Sequence, residues 1–155
     1  MPCFRPGKNM RVAKDFKEFF ASCNKHGVEY VVVGGYAFAL HAYPRYTGDM
    51  DVFVKPSESN ARLIIKALSD FGFEPSSLAW KDFAGTGRVI QLGFPPLRID
   101  IMTAIDGVSF DDAWSRKVES RYGDEKVYFI SKEDLIATKR ASGRKQDLLD
   151  LESLA

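Results

Sequence analysis

The sequence lacks the features that mark several large classes of protein. Its 155 residues include two cysteines, Cys3 and Cys23, and two histidines, and neither residue type has the spacing of a metal-binding motif. No apolar run approaches the ~18 residues that a membrane-spanning helix needs. The N-terminal sequence MPCFRPGKNM also lacks the apolar core of a signal peptide. These absences predict a soluble cytoplasmic protein with free thiols and no membrane partner.

The chain also lacks an excess of charge of either sign. It carries 22 lysine and arginine residues against 21 aspartate and glutamate residues, for a formal net charge of +1. Overall charge therefore does not indicate binding to nucleic acid, although a local basic patch remains open. The length fits one ordinary domain with a sizeable core. We expect a flexible arm over residues 1–8 and a single domain over residues 9–155.

What the sequence does contain is an alternation of strand-like and helix-like segments. Strands are predicted at residues 30–33, 49–54, 88–93, 97–103 and 125–130, from β-branched or alternating apolar residues. Helices are predicted at residues 9–26, 36–43, 56–71, 110–117, 131–143 and 144–154, with Asn9 and Ser131 as N-caps. Residues 75–87 fit neither pattern. The mixture predicts an α/β (α+β) fold, in which helices flank a mixed central sheet.

The segment from residue 30 to residue 54, YVVVGGYAFALHAYPRYTGDMDVFV, contains the strongest functional signal. The pair Gly34-Gly35 stands where a predicted strand ends and a predicted helix begins. Free backbone N–H groups and the positive end of a helix dipole favour a phosphate at such a point. Glycine also allows a ligand to approach the backbone closely.

Three aspartates complete the signal. Asp49 and Asp51 alternate along one strand, so their Cα atoms lie ~6.5 Å apart on the same face and repel each other unless a proton or cation intervenes. Mg²⁺ suits such a pair because it binds few carboxylates and retains sites for phosphate oxygens. Asp100, in LRIDIM, would be a third ligand of a two-metal site if its strand is a neighbour. Because Arg98 shares the face of Asp100, a structural ion pair is the alternative.

In their order and context, these residues resemble the nucleotidyltransferase superfamily that shares its fold with DNA polymerase β. In that family a Gly-Gly or Gly-Ser pair precedes a helix and Asp-x-Asp, and a third aspartate lies on a following strand. Gly34, Gly35, Asp49, Asp51 and Asp100 match this pattern. The segments RYTGDMDVFV and EDLIATKRASGRKQDLLDLESL further resemble a minimal bacterial branch that contains abortive-infection toxins.

The resemblance implies a nucleotidyltransferase fold and an enzyme that moves a nucleoside monophosphate from an NTP to an acceptor hydroxyl with release of pyrophosphate. It implies two Mg²⁺ or Mn²⁺ ions held by Asp49, Asp51 and Asp100, which are also the predicted catalytic residues. Gly34 and Gly35 would bind the nucleotide phosphates. The acceptor stays open between tRNA, a protein and a small molecule.

Four further residues are candidates for nucleotide binding. Arg45 and Thr47 lie in the loop before the aspartates, where Arg45 is either a phosphate contact or an ordinary surface arginine. Similarity implies a triphosphate contact for Lys139, with Arg144 nearby, whereas the alternative for Lys139 is a solvated helix face. The rival function is a catalytically degenerate module that binds a nucleotide or a partner protein in a toxin–antitoxin-like pair.

Overall fold

The structure is a computed structural model that describes residues 13–73, 78–94 and 97–155, with Phe94 through its backbone alone. The predicted arm at residues 1–8 and the predicted cap Asn9 lie outside these ranges. The elements, in chain order, are α1 Lys14–His26, β1 Tyr30–Val33, α2 Gly34–His41, β2 Asp49–Val54, α3 Glu58–Phe71, a 3₁₀-helix at Trp80–Phe83, β3 Val89–Phe94, β4 Leu97–Met102, α4 Phe110–Ser115, β5 Val118–Tyr122, β6 Glu125–Phe129, α5 Lys132–Ser142 and α6 Lys145–Leu154.

The strands form one mixed sheet in the order β3-β4-β2-β1-β6-β5. Neighbours in sequence form antiparallel pairs, β1 with β2, β3 with β4 and β5 with β6. The long-range pairs, β2 with β4 and β1 with β6, are parallel. Helices pack against this sheet, so the predicted α+β architecture with a mixed central sheet is confirmed. Among the described residues, no helix is long and apolar enough to cross a membrane.

The main differences between the predicted and the observed elements concern β5, α1 and α2. Strand β5 was not predicted, because in VESRY the buried positions are Ser120 and Tyr122 and the sequence shows no apolar alternation. Helix α1 begins at Lys14 with Ala13 as its N-cap, rather than near Asn9. Helix α2 begins at Gly34 instead of two residues later and ends at His41. A φ of 67° at Gly34 allows β1 to turn directly into this helix.

The core explains why β1 is an uninterrupted apolar run. All four of its residues are buried, because the strand lies inside the sheet and both of its faces are covered. On one side α1 packs Phe16 and Phe20 against Tyr30 and Tyr122, with ring centroids 5.6–6.3 Å apart. Cys23 of the same helix is a free, buried thiol, as the sequence predicted.

Asn60, in the first turn of α3, fixes the end of the strand pair at which β1 begins and β2 ends. Its side chain is 1% exposed. The carbonyl oxygen accepts from the N–H of Glu29 at 2.8 Å, and the amide donates to the carbonyls of Glu29 and Lys55 at 3.1 and 3.0 Å. One side chain therefore satisfies three backbone groups and links the strand that leads into the glycine pair to the strand that carries Asp49 and Asp51.

We expect Asn60→Ala to lower the free energy of unfolding by roughly 2–3 kcal/mol, because it leaves buried backbone groups without partners. Urea unfolding followed by circular dichroism measures this change. Ser59→Ala, at an exposed position of the same turn, is the control and should stay within about 0.5 kcal/mol of the wild type. An Asn60→Ala protein as stable as the control would contradict this role.

Candidate active site

The parallel pairing of β2 with β4 brings the predicted carboxylates together. Asp51 is in register with Asp100, and Asp49 is in register with Arg98. Register partners on adjacent strands present their side chains on the same face of a sheet, so the three aspartates and the arginine share one face. The strand neighbourhood on which the predicted site depends is therefore present.

The glycine pair lies directly against this acidic face. A Cβ atom added at Gly34 would stand 2.1 Å from Oδ2 of Asp51, and one added at Gly35 would stand 2.7 Å from Cγ2 of Thr47. Both distances are too short for any side chain. The pair therefore does more than form a turn, because it lets the first turn of α2 pass close to Asp51 and to the loop before β2.

Arg98 occupies the space between two of the aspartates. Its Nη2 donates to Oδ2 of Asp49 at 2.7 Å and to Oδ2 of Asp100 at 3.1 Å, and its Nε donates to Oδ1 of Asp100 at 2.8 Å. The ion pair considered as an alternative for Asp100 is thus present. In the part of the chain that the structure describes, no group of three histidine, cysteine or carboxylate side chains is arranged to hold a metal as it stands.

Of the three aspartates, Asp51 is the one with no described hydrogen bond to Arg98. Burial, first, and then repulsion from Asp100 and Asp49 raise the pKa of Asp51 to about 7, although Arg98 opposes the change. The carboxyl group therefore holds its proton to a much higher pH than an ordinary aspartate. The site has more negative charge than one guanidinium neutralises, and a further cation would relieve it.

These residues suit a divalent cation. Carboxylate oxygens are the ligands that Mg²⁺ and Mn²⁺ prefer, and three of the carboxylates meet on one face. Asp51 lines a cavity beside Gly34, and burial together with repulsion from Asp100 and Asp49 raises its pKa. Asp49, Asp51 and Asp100 could hold such ions once the guanidinium of Arg98 moves away.

One cavity connects this acidic face to the C-terminal helices. Its volume is about 710 Å³, within the range of small-molecule sites. Most of the predicted site residues line it, namely Gly34, Gly35, Arg45, Asp51, Asp100, Lys139 and Arg144. Asp49 and Thr47 lie outside its wall. Thr47 instead packs against Gly35, and its hydroxyl donates to the carbonyl of Arg45 at 3.2 Å.

The cationic residues of the cavity are held by two carboxylates of α6. Lys139 is 6% exposed and donates to Asp147 at 3.2 Å and to Asp150 at 2.9 Å. Arg45 forms a two-pronged pair with Asp150, at 2.8 and 3.1 Å, and Arg144 donates to Asp147 at 2.8 Å. The alternative that Lys139 lies on a solvated helix face is wrong.

The role of Asp150 was not predicted, although the sequence contains a signal for it. In KQDLLDLESL the two aspartates are three residues apart and share one face of α6, and that face is buried. Leu148 and Leu149 are about half exposed, at 50% and 54%. A helix that buries carboxylates and exposes leucines has to place those carboxylates against cations.

The ion pairs control the protonation of this cluster. Burial alone would raise the pKa of Asp150, but hydrogen bonds from Arg45, Lys139 and Gln146 lower it to about 2. The pKa of Asp147 is lowered as well, since hydrogen bonds from Ser142, Arg144 and Lys139 outweigh its burial. Both carboxylates are therefore ionised at neutral pH.

The two histidines and Trp80 lie outside the cavity wall. His26 pairs with Asp70 at 2.7 Å, and His41 donates its Nε2 proton to the carbonyl of Ile130 at 2.7 Å. The guanidinium of Arg62 lies 4.6 Å from the ring centre of Trp80. Both histidines therefore have ordinary structural partners, and one face of Trp80 already has a cation stacked on it.

Comparisons with known proteins agree with this architecture. A family model described as a nucleotidyltransferase of unknown function (DUF6036) matches residues 8–155. No curated protein sequence matches the chain. A candidate nucleotidyltransferase from Thermotoga maritima is similar in structure, with 20% identity, a TM-score of 0.60 and coverage of 88% of each chain.

Two antibiotic-resistance proteins are also similar. The lincosamide antibiotic adenylyltransferase LnuA, solved with lincomycin bound, has 15% identity and a TM-score of 0.53, over 91% of this chain and 94% of its own. The antibiotic-resistance factor ANT(2'')-Ia has 14% identity and a TM-score of 0.55, over 90% and 80%. These likenesses confirm the predicted nucleotidyltransferase fold, whereas the likeness to abortive-infection toxins stays a prediction.

Asp51→Asn should stabilise the metal-free protein at pH 8. The folded-state pKa of about 7 lies above the ordinary aspartate value of 3.8, so ionisation of Asp51 destabilises the fold, and this destabilisation grows as pH rises from about 4 to 7. We expect a gain on the order of 2 kcal/mol at pH 8, or about 4–8 °C in Tm, and little gain at pH 4. Calorimetry with a chelator present tests this. An unchanged or lower Tm at pH 8, relative to the exposed control Asp111→Asn, would refute it.

Asp150→Asn should destabilise the protein at pH 7 by about 3 kcal/mol, because Arg45 and Lys139 lose a buried counter-charge. The folded-state pKa of Asp150, about 2, is below the ordinary aspartate value of 3.8. Its stabilisation is therefore present above about pH 4 and is lost as pH falls towards 2. Urea unfolding should show the difference between variant and wild type narrowing at pH 3. Glu152→Gln, exposed on the same helix, should have little effect at either pH.

Proposed function

Because the chain belongs to the DUF6036 family of nucleotidyltransferases, we propose that it transfers a nucleoside monophosphate from an NTP to an acceptor hydroxyl and releases pyrophosphate. One cavity brings Asp51 and Asp100 together with the glycine pair and with three cations, Arg45, Lys139 and Arg144, which form a cationic cluster. This observation carries the proposal. A strand end, a helix N-terminus and paired carboxylates are together what a metal-bound triphosphate requires.

The charges of the cavity indicate that the nucleotide binds together with divalent cations. The wall contains three cationic side chains, Arg45, Lys139 and Arg144, and five carboxylates, Asp51, Asp100, Asp106, Asp147 and Asp150. A triphosphate alone would be repelled by such a wall. We infer that two Mg²⁺ or Mn²⁺ ions are held by Asp49, Asp51 and Asp100. When bound, such ions act as Lewis acids that stabilise charge on the phosphoryl oxygens.

The residues of the acidic face and the glycine pair have separate roles in the proposed reaction. Backbone N–H groups of Gly34 and Gly35, at the start of α2, hold phosphate oxygens of the donor. Asp100 lies on the strand next to Asp51, so an acceptor hydroxyl placed against Asp100 faces a nucleotide placed at Asp51. The carboxylate of Asp100 accepts the hydroxyl proton as the acceptor oxygen bonds to the α-phosphorus. The bond from that phosphorus to the oxygen bridging to the β-phosphate breaks, and pyrophosphate leaves.

The cationic cluster serves the outer phosphates in this proposal. Lys139, Arg45 and Arg144 line the same cavity as the glycine pair, and their ion pairs with α6 hold them in fixed orientations. Cations that are already oriented lose little freedom when they contact the β- and γ-phosphates. Thr47 contributes indirectly, because it packs against Gly35 and so supports the phosphate-binding turn.

The acceptor we favour is a small hydroxyl-bearing molecule, with ATP as donor. The structurally similar LnuA is an antibiotic adenylyltransferase solved with lincomycin, and ANT(2'')-Ia was solved with adenylyl-2''-tobramycin. The cavity, at about 710 Å³, is of small-molecule size. A net charge of +1 gives no general attraction for RNA. A cytoplasmic location, where NTPs and Mg²⁺ are abundant, fits this chemistry.

We expect the wild-type protein to bind an NTP only when Mg²⁺ or Mn²⁺ is present, because the cavity wall is acidic. Isothermal titration with each NTP, with metal or with chelator, measures this requirement. Asp51→Asn and Asp100→Asn should weaken metal-dependent binding at least tenfold, and the exposed Asp111→Asn should not. NTP binding that persists with chelator, or in the Asp51→Asn protein, would contradict the proposal.

Transfer is tested in the same preparations with α-labelled NTPs and with separated small-molecule, protein and tRNA fractions of a cell extract. Label should move to the small-molecule fraction in a Mg²⁺-dependent manner, and pyrophosphate should appear with it. Label on tRNA or protein would show that the acceptor is not a small molecule, but it would still support the proposed transfer reaction. Metal-dependent binding without transfer to any fraction would instead support the rival function, a non-catalytic nucleotide-binding module.

A further inference from the structure

We propose that Arg98 is a built-in competitor of the divalent cation: its guanidinium holds Asp49 and Asp100 in the free protein and leaves them when the metal–nucleotide complex binds. The inference rests on the proposed function, since it concerns the same carboxylates. It assigns to Arg98 a positioning role in coupling metal binding to nucleotide binding. A metal ion that arrives alone would have to displace this arginine without the help of a triphosphate.

The hydrogen bonds of Arg98 occupy the oxygens that a metal would need. Nε and Nη2 engage both carboxylate oxygens of Asp100, at 2.8 and 3.1 Å, and Nη2 also engages Oδ2 of Asp49 at 2.7 Å. Guanidinium contacts of this two-pronged kind are among the strongest that a carboxylate makes in proteins. Only Asp51, of the three aspartates, lacks a described hydrogen bond to Arg98.

The position of Arg98 beside the two aspartates is set by the register of the sheet and does not depend on a chance side-chain orientation. Arg98 is opposite Asp49 on β2 and two residues before Asp100 on β4, so all three side chains emerge on one face. A shift in register of one residue would separate them. The arginine is therefore as strongly specified by the fold as the aspartates are.

The same register leaves space into which the guanidinium of Arg98 can move. On its other side Arg98 is opposite Gly93 of the edge strand β3, which carries no side chain and has a φ of 82°. The Arg98 side chain is 26% exposed. It can therefore turn away from the aspartates towards solvent or towards a bound phosphate, for which a planar guanidinium is well suited, without unpacking the core.

Displacement links the two ligands. A free divalent cation has to break the Arg98 contacts and gains only the carboxylates in return. When a triphosphate is present, the displaced guanidinium gains a phosphate partner in place of the carboxylates, so the Arg98 contacts are replaced and not simply lost. Binding of metal and nucleotide should therefore be strongly cooperative, with each raising the affinity for the other by the same factor. Arg98 would be a main source of that cooperativity.

The experiment measures Mn²⁺ affinity by electron paramagnetic resonance in the wild type and in Arg98→Gln, with and without a non-hydrolysable NTP analogue. Arg98→Gln should bind Mn²⁺ alone at least tenfold more tightly than the wild type. The ratio of affinities with and without the analogue should fall at least tenfold. Arg62→Gln, which makes the same change in net charge at a residue paired with Glu58, should stay within twofold in both measurements.

Two results would overturn the proposal. One is an unchanged affinity for Mn²⁺ alone in Arg98→Gln. The other is an equal tightening with and without the analogue, which would show that Arg98 acts only through its charge. If Arg98→Gln does not fold, Arg98→Lys replaces it, since lysine keeps the charge but not the two-pronged contact. It should bind Mn²⁺ alone at least threefold more tightly, and wild-type affinity would refute the proposal.

Failure of the proposed function gives a different result. If neither protein binds the nucleotide analogue with Mn²⁺, the nucleotidyltransferase proposal fails for this chain. The measurement with Mn²⁺ alone still decides whether Arg98 competes with the cation, because it needs no nucleotide. Circular dichroism melting of each variant verifies that the compared proteins are folded.

Discussion

The constraint on which the site depends is the parallel pairing of β2 with β4 in a register that places Asp51 beside Asp100. This pairing sets like charges next to each other inside the fold, and burial, followed by this repulsion, raises the pKa of Asp51. The structure offsets part of that repulsion with Arg98 and leaves the rest. A cluster of like charges costs stability, so its presence supports the proposal that a cation completes this site.

A second charged cluster differs from the first because its carboxylates are paired with cations. Around α6, each buried carboxylate has at least two donors, and their pKa values are lowered. Favourable charge contacts hold Lys139 and Arg45 in the cavity wall. Leu154 of the same helix is buried among the core residues. The two clusters thus face one cavity with different electrostatic states. The α6 cluster is neutralised within the protein, whereas the cluster on β2 and β4 keeps unneutralised charge for a ligand.

Local patterns made much of this predictable from the sequence. The Gly34-Gly35 pair and the alternating aspartates specify a strand, a close turn and a shared face, and each of these depends on residues near in the chain. The contact of Asp51 with Asp100 required a guess about strand order, and family resemblance supplied it. Strand β5 and the role of Asp150 were missed, because a serine replaced the expected apolar residue in one case and the counter-charge lies 105 residues away in the other.

The division of charge on the acidic face also suggests an order of events. Arg98 neutralises Asp49 and Asp100, so the carboxylate that lacks a described contact with it is Asp51, the one that touches the glycine pair. In the proposed reaction, a cation that carries phosphate would therefore first meet the carboxylate that Arg98 does not hold, where backbone N–H groups can take the phosphate. Asp49 and Asp100 would exchange the guanidinium for metal only afterwards. An acceptor hydroxyl near Asp100 would then be activated after the donor is in place, which limits loss of the NTP to water.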